Sequence, residues 1–207
     1  APQLVHVLHD MAVRPGDKVV WCGQNSTGIV EMVNASRKLG TTAVPLNYRL
    51  SDDEAAYVTG HCDATTVYVD AEFAPLFERI RGRIPKVTNI LVFDGDAPAG
   101  MTAVDPLIAG ASSAVLEVFI YEWGSTLIYT SGTAGPAKAV RMPHAQIYFL
   151  ARRTVEKLEA GPDDIFYCFH PLFHMAGKFM GIFAMLIGGG AIVLDRPAFK
   201  HKRKPPD

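Results

Sequence analysis

Four short apolar runs begin at positions 18, 42, 66 and 89, and each is separated from the next by a segment with helical character. This alternation constrains the fold more than any other feature. Lys18–Cys22, Thr42–Pro45, Thr66–Asp70 and Asn89–Phe93 read as short buried strands. Ser26 or Thr27 can cap a helix running toward Leu39, and Gly40 suits its C′ position. Ser51-Asp52-Asp53-Glu54 is a capping box that opens a helix to about Cys62. Phe73, Leu76, Phe77, Ile80 and Ile84 fall at helical spacing, with Pro85 just beyond. A βαβ series of this kind predicts a mostly parallel sheet with helices on its faces.

The stretch from Asp94 to Ala114 is rich in Gly, Ala, Ser and Pro and reads as a connection between sub-domains. The alternation then restarts. Thr126–Tyr129 is a strand, Ala139–Met142 a second, and Ile147, Leu150, Thr154 or Val155, and Leu158 mark a helix. Asp164–Phe169 is a strand. Met175 to Ile187 is a helix apolar on nearly every side, hence buried or interfacial. Gly188-Gly189-Gly190 ends it, and Ala191–Leu194 is a further strand. The expected division is a first α/β sub-domain at 1–114, a second at 115–199 and a basic, solvated tail at 200–207.

Between the two strands of the second half lies Tyr129-Thr130-Ser131-Gly132-Thr133-Ala134-Gly135-Pro136-Ala137-Lys138. Such a segment can hold a polyphosphate. Glycines let the backbone approach an anion, consecutive N–H groups make an anion-binding concavity, hydroxyls donate to phosphate oxygens, and a lysine adds a point charge. A Walker A loop would need a glycine directly before the lysine and a hydroxyl after it; Ala137 and Ala139 stand there. A dinucleotide fingerprint would open a helix, whereas Pro136 and Ala139-Val140 argue for a hairpin-like turn.

The segment resembles the signature loop of the adenylate-forming superfamily, the acyl-CoA synthetases, peptide-synthetase adenylation domains and luciferases, whose pattern is Y-T-S-G-T-T-G-x-P-K-G. Ala134, Ala137 and Ala139 depart from it. A second patch, Pro171-Leu172-Phe173-His174-Met175-Ala176-Gly177, resembles the family's P-L-F-H-x-x-G segment, and Gly40 with Val44-Pro45-Leu46-Asn47 resembles an earlier passage. The resemblance runs from about Gly16 to Asp195 and is strongest to bacterial acyl-CoA ligases, with some likeness to the carnitine/crotonobetaine type. It implies the N-terminal part of the adenylate-forming fold, with repeated βα units in two mostly parallel sheets.

The implied chemistry has two halves. A carboxylate attacks the α-phosphorus of ATP to give an acyl-adenylate and pyrophosphate, and coenzyme A then takes the acyl group. Catalysis of the first half is mostly positioning and electrostatics. The resemblance assigns phosphate binding to Thr130, Ser131, Gly132, Thr133, Gly135 and Lys138. It assigns His174 to the reacting carboxylate, to which an imidazole can donate a hydrogen bond. Mg2+ is implied with ATP, but the pattern gives this chain no metal ligand of its own. The three alanine departures remove a hydroxyl, loosen the turn and add a Cβ.

Other residues carry less. His170 and His174 are four apart, but Pro171 between them prevents a shared helical face. His144 reads equally as a structural cap or a ligand contact. Lys178 reads as a solvated helix lysine rather than a phosphate contact, and Tyr129 and Trp123 as packing residues. Cys22, Cys62 and Cys168 match no metal or redox spacing and read as buried thiols of a reducing compartment.

Composition adds exclusions. A net charge of −1 argues against nucleic acid as the main partner, and no run approaches the ~18 apolar residues of a membrane span. A cytoplasmic location is expected, with a small-molecule carboxylate as substrate and a homodimer left open. No Y-G-x-T-E segment, ribose-binding aspartate or C-terminal adenylation lysine occurs up to Asp207. The chain therefore reads as an N-terminal portion, and in isolation it is expected to be catalytically dead or nearly so. An adenylation domain that loads a carrier protein, or a degenerate non-catalytic module that keeps the fold, are the alternatives. A dinucleotide-dependent dehydrogenase is a distant third.

Overall fold

The computed structural model describes residues 2–116, 125–130 and 136–195. A leading helix, α1 (Pro2–Asp10), was not legible in the sequence; it packs against α2. The βα series follows as expected: β1 (Lys18–Cys22), α2 (Thr27–Leu39), β2 (Thr42–Leu46), α3 (Asp52–His61), β3 (Thr66–Asp70), α4 (Ala74–Ile80) and β4 (Asn89–Phe93). Ser26 caps α2 by accepting from the Ile29 N–H, and Gly40 ends it with φ 72°, which few side chains tolerate. Ser51 and Glu54 form the reciprocal capping box on α3.

Two departures concern local winding. The helix predicted from Phe73 to Ile84 is broken, because 3₁₀ turns at Ala71–Phe73 and Arg81–Arg83 bracket α4. The stretch read as a connection contains a short strand, β5 (Thr102–Ala103), and α5 (Asp105–Gly110). β5 escaped the sequence reading because it is only two residues long and pairs at the sheet edge, beside β4.

The second half supplies β6 (Ser125–Thr130), β7 (Lys138–Pro143), α6 (His144–Leu158), β8 (Ile165–Cys168), a π-helix (Ala176–Phe183), α7 (Ala184–Gly188) and β9 (Ala191–Leu194). Strand order in the main sheet is β5-β4-β3-β1-β2-β6-β7, parallel throughout except for the antiparallel β6–β7 hairpin. The sheet therefore crosses the division expected after residue 114. β8 and β9 form a separate parallel pair.

Side-chain alternation along β1 divides the core. Val19 and Trp21 join α1 and α2 in one apolar cluster, whereas Val20 and Cys22 join α3 and α4 in the other. All three cysteines are free and buried.

The predicted Met175–Ile187 helix is wound as a π-helix over its first half. Small residues permit this close packing. A Cβ on Gly177 would sit 2.7 Å from the His170 carbonyl and 2.8 Å from that of Pro171, so only glycine lets the helix start pass so near the preceding backbone. Phe179, Ile182 and Phe183 are buried, while Met180, Leu186 and Ile187 are exposed, so the helix hides only one side.

Candidate active site

β6 and β7 pair antiparallel from Ser125↔Pro143 to Thr130↔Lys138. The hairpin expected between the two strands is therefore present, and the helix that a dinucleotide loop would open is replaced by β7. Thr130 and Lys138 face each other across the last rung, and the Thr130 hydroxyl donates to the Lys138 carbonyl at 3.4 Å. Both residues are exposed, and Lys138 makes no ion pair among the described residues. Ser131, Gly132, Thr133, Ala134 and Gly135 lie outside the described residues, as does Trp123.

His174 stands at the start of the π-helix, its N–H bonded to the Pro171 carbonyl at 3.0 Å. Burial, then the nearby Arg49 and His170, hold its imidazole below the ordinary histidine range. The ring is thus neutral at pH 7 and can donate one hydrogen bond to a carboxylate without a permanent charge. His174 lines a cleft of about 510 Å³ together with Ile128, Tyr129, Pro136 and Ala137 of the hairpin, Pro45–Asn47 after β2, and one face of α3. The structure therefore brings His174 to the hairpin stem. Thr130 and Lys138 lie outside this cleft's lining.

Asn25 joins the first half to the second motif. It is 3% exposed, its amide donates to the His170 carbonyl at 3.0 Å, and its oxygen accepts from the Leu172 N–H at 2.9 Å. This one side chain thereby satisfies two backbone groups of the segment that positions His174. Tyr48 adds a second tie, stacking on Phe73 and meeting the Phe173 ring edge-on at 5.4 Å. Met175, the next residue, is exposed.

Three readings of single residues change. Lys178 is not solvated: it is 1% exposed, lies over the Trp21 and Phe179 rings, and its ammonium finds no hydrogen-bond partner among the described residues. His144 does not cap α6; it is that helix's first residue, and both its ring nitrogens are buried without partners among the described residues. Tyr129 does more than pack, because its hydroxyl bonds His61 Nδ1 at 2.7 Å. His61 and Tyr57 lie four apart on α3, an i,i+4 spacing that marks one helix face but gives no sign of what the face meets.

Among the described residues no group of three or more His, Cys, Asp or Glu side chains comes together to hold a metal ion. No helix among them is long and apolar enough to cross a membrane.

Comparison with known proteins supplies the family. The long-chain-fatty-acid–CoA ligase of Thermus thermophilus is 28% identical over 195 residues, which is 93% of this chain and 36% of that protein. The crotonobetaine/carnitine–CoA ligase of Salmonella paratyphi A is 23% identical over 91% of this chain and 38% of its own length. The chain thus spans little more than a third of these relatives. Among solved structures, the anthranilate CoA ligase AuaEII in complex with anthranoyl-AMP superposes with a TM-score of 0.89 at 27% identity, covering 95% of this chain and 38% of that one. The AMP-binding enzyme profile matches residues 1–205, and on that match the chain belongs to the AMP-binding enzyme family.

Proposed function

We propose that this chain supplies the phosphate-binding and carboxylate-facing part of an ATP-dependent acyl-CoA ligase. The observation that carries the reading is the meeting, in one cleft, of His174 with the stem of the β6–β7 hairpin. In this reading Thr130, Ser131, Gly132, Thr133 and Gly135 offer hydroxyl and backbone donors to the phosphates, and Lys138 offers the charge that offsets them. Neutral His174 orients the carboxylate that attacks the α-phosphorus. The products are an acyl-adenylate and pyrophosphate, and coenzyme A then accepts the acyl group. Mg2+ accompanies the nucleotide, and among the described residues no cluster of His, Cys, Asp or Glu is available to hold it.

The named relatives act on different acids, long-chain fatty acids and carnitine among them. The proposal therefore extends to a carboxylic acid and not to one acid. A cytoplasmic site of action belongs to the same proposal.

Titration calorimetry of the chain with MgATP tests the reading. Lys138→Ala should weaken binding about tenfold, the scale of one charge-assisted contact at an exposed site. Equal affinity in the wild type and in Lys138→Ala would sink the phosphate role of this loop.

A further inference from the structure

The hairpin that carries residues 130–138 overhangs its sheet. Among the described residues, β2 supports β6 only at Thr42↔Ser125 and Ala43↔Thr126. The reason lies in β2. The Thr42 N–H points to the β1 side, where it bonds the Asp17 carbonyl, so by alternation the backbone nitrogens of Ala43 and Pro45 face β6. Pro45 has no N–H to give, and the ladder stops there. Beyond that point β6 and β7 have each other but, among the described residues, no third strand.

What meets the overhang is one face of α3. The Tyr57 hydroxyl donates at 3.2 Å to the carbonyl of Ala137, the residue that leads into β7. The His61 ring bonds the Tyr129 hydroxyl at 2.7 Å, on the strand entering it. Either ring tautomer keeps this bond, because O–H can donate to bare Nδ1 or Nδ1–H to the phenol oxygen. The Tyr57 and His61 rings lie 5.2 Å apart, and the His61 and Tyr129 rings meet edge-on at 5.7 Å. α3 is fixed in turn by its capping box and by the Arg79–Asp52 and Arg83–Asp53 pairs to the neighbouring segment.

We infer that Tyr57 and His61 are positioning residues that hold the two stems of the 130–138 loop in the register its ligand requires. The inference rests on the phosphate-binding reading of that loop. Neither residue touches the reacting atoms; both act through Ala137 and Tyr129.

The test uses the full chain and two readouts. Amide hydrogen exchange without nucleotide reports the stems directly. In His61→Leu and Tyr57→Phe, peptides covering 125–143 should exchange several-fold faster, while those of β1 and β3 stay unchanged. His61→Asn, whose amide can occupy the place of Nδ1, should restore protection. MgATP affinity is the second readout. Each variant should weaken it about three- to tenfold, the scale of one lost hydrogen bond. His61→Leu and Tyr129→Phe should be non-additive, because both remove the same contact. Unchanged exchange in the hairpin, or an equal increase throughout the chain, overturns the inference. So does faster hairpin exchange with unaltered affinity. A wild-type chain that binds no MgATP overturns the functional reading instead, and the exchange result alone then decides whether α3 holds the stems.

Discussion

Replacing Lys178 with methionine should stabilise this fold, and by more at neutral pH than at alkaline pH. Lys178 is 1% exposed, with its Nζ 5.5 Å from the Trp21 ring centroid and 4.8 Å from that of Phe179. Burial pushes its ammonium from 10.5 down to about 7. The unfolded chain holds this proton up to about pH 10.5, so between pH 7 and 10.5 the unfolded state binds more protons than the folded one. Stability from this group therefore rises with pH through that window and is lost as pH falls toward 7. Releasing the proton on folding costs about 4 kcal/mol at pH 7 and about 2 kcal/mol at pH 9. Methionine has a similar length and shape without the amine, so it fills the space and removes the ionisation cost. Urea denaturation of both proteins, followed by far-UV circular dichroism from pH 6.5 to 9, measures the difference. The advantage of Lys178→Met should shrink by about 2 kcal/mol between pH 7 and pH 9. Buried Cys62, pushed up to about 11, also adds pH dependence at the alkaline end, but it is common to both proteins and cancels in the difference. A difference that stays flat with pH would mean that the ammonium remains charged against the two rings, and the desolvation argument would fail.

Gly177→Ala places a Cβ against two carbonyl oxygens at 2.7 and 2.8 Å and should destabilise by about 1–3 kcal/mol, read from the urea midpoint. Asn25→Ala leaves the buried Leu172 N–H unpaired and should destabilise by about 1–3 kcal/mol, with chemical-shift changes at His170–His174 in an amide correlation spectrum. His174 should titrate below the ordinary histidine value, and Arg49→Gln should raise it, since Arg49 is the leading charged contributor; an NMR titration that finds no upward movement in Arg49→Gln refutes the assignment of that cause.

What the sequence offers of the candidate site rests on local signals. The glycine and hydroxyl pattern at residues 130–138 supplies the residue types that the phosphate-binding proposal uses, and Pro136 with Ala139-Val140 already favours the hairpin that β6 and β7 form. The Pro171–Gly177 motif located His174. Lys178 was misjudged because spacing gives a residue's direction around a helix but not the neighbour that covers it. Its surroundings are set by Trp21, more than 150 positions earlier in the chain. His144 failed as a cap for a related reason: the space around its ring depends on packing that no nearby residue announces.

The sequence by itself determined the alternation of β1–β4 with the helices between them, the caps on α2 and α3, and the residue types able to meet a polyphosphate. These follow from backbone propensity, two periodicities and side-chain chemistry, all of which act over a few residues. Only the tertiary structure decided that β6 and β7 extend the first sheet, that Asn25 ties the first half to the His174 segment, and that Tyr57 and His61 brace a hairpin left unsupported at Pro45. Each of these joins residues some 68 to 147 positions apart, or strands whose pairing depends on the whole sheet. Such contacts form where distant surfaces happen to be complementary once the core has closed, and a local pattern carries no record of the partner.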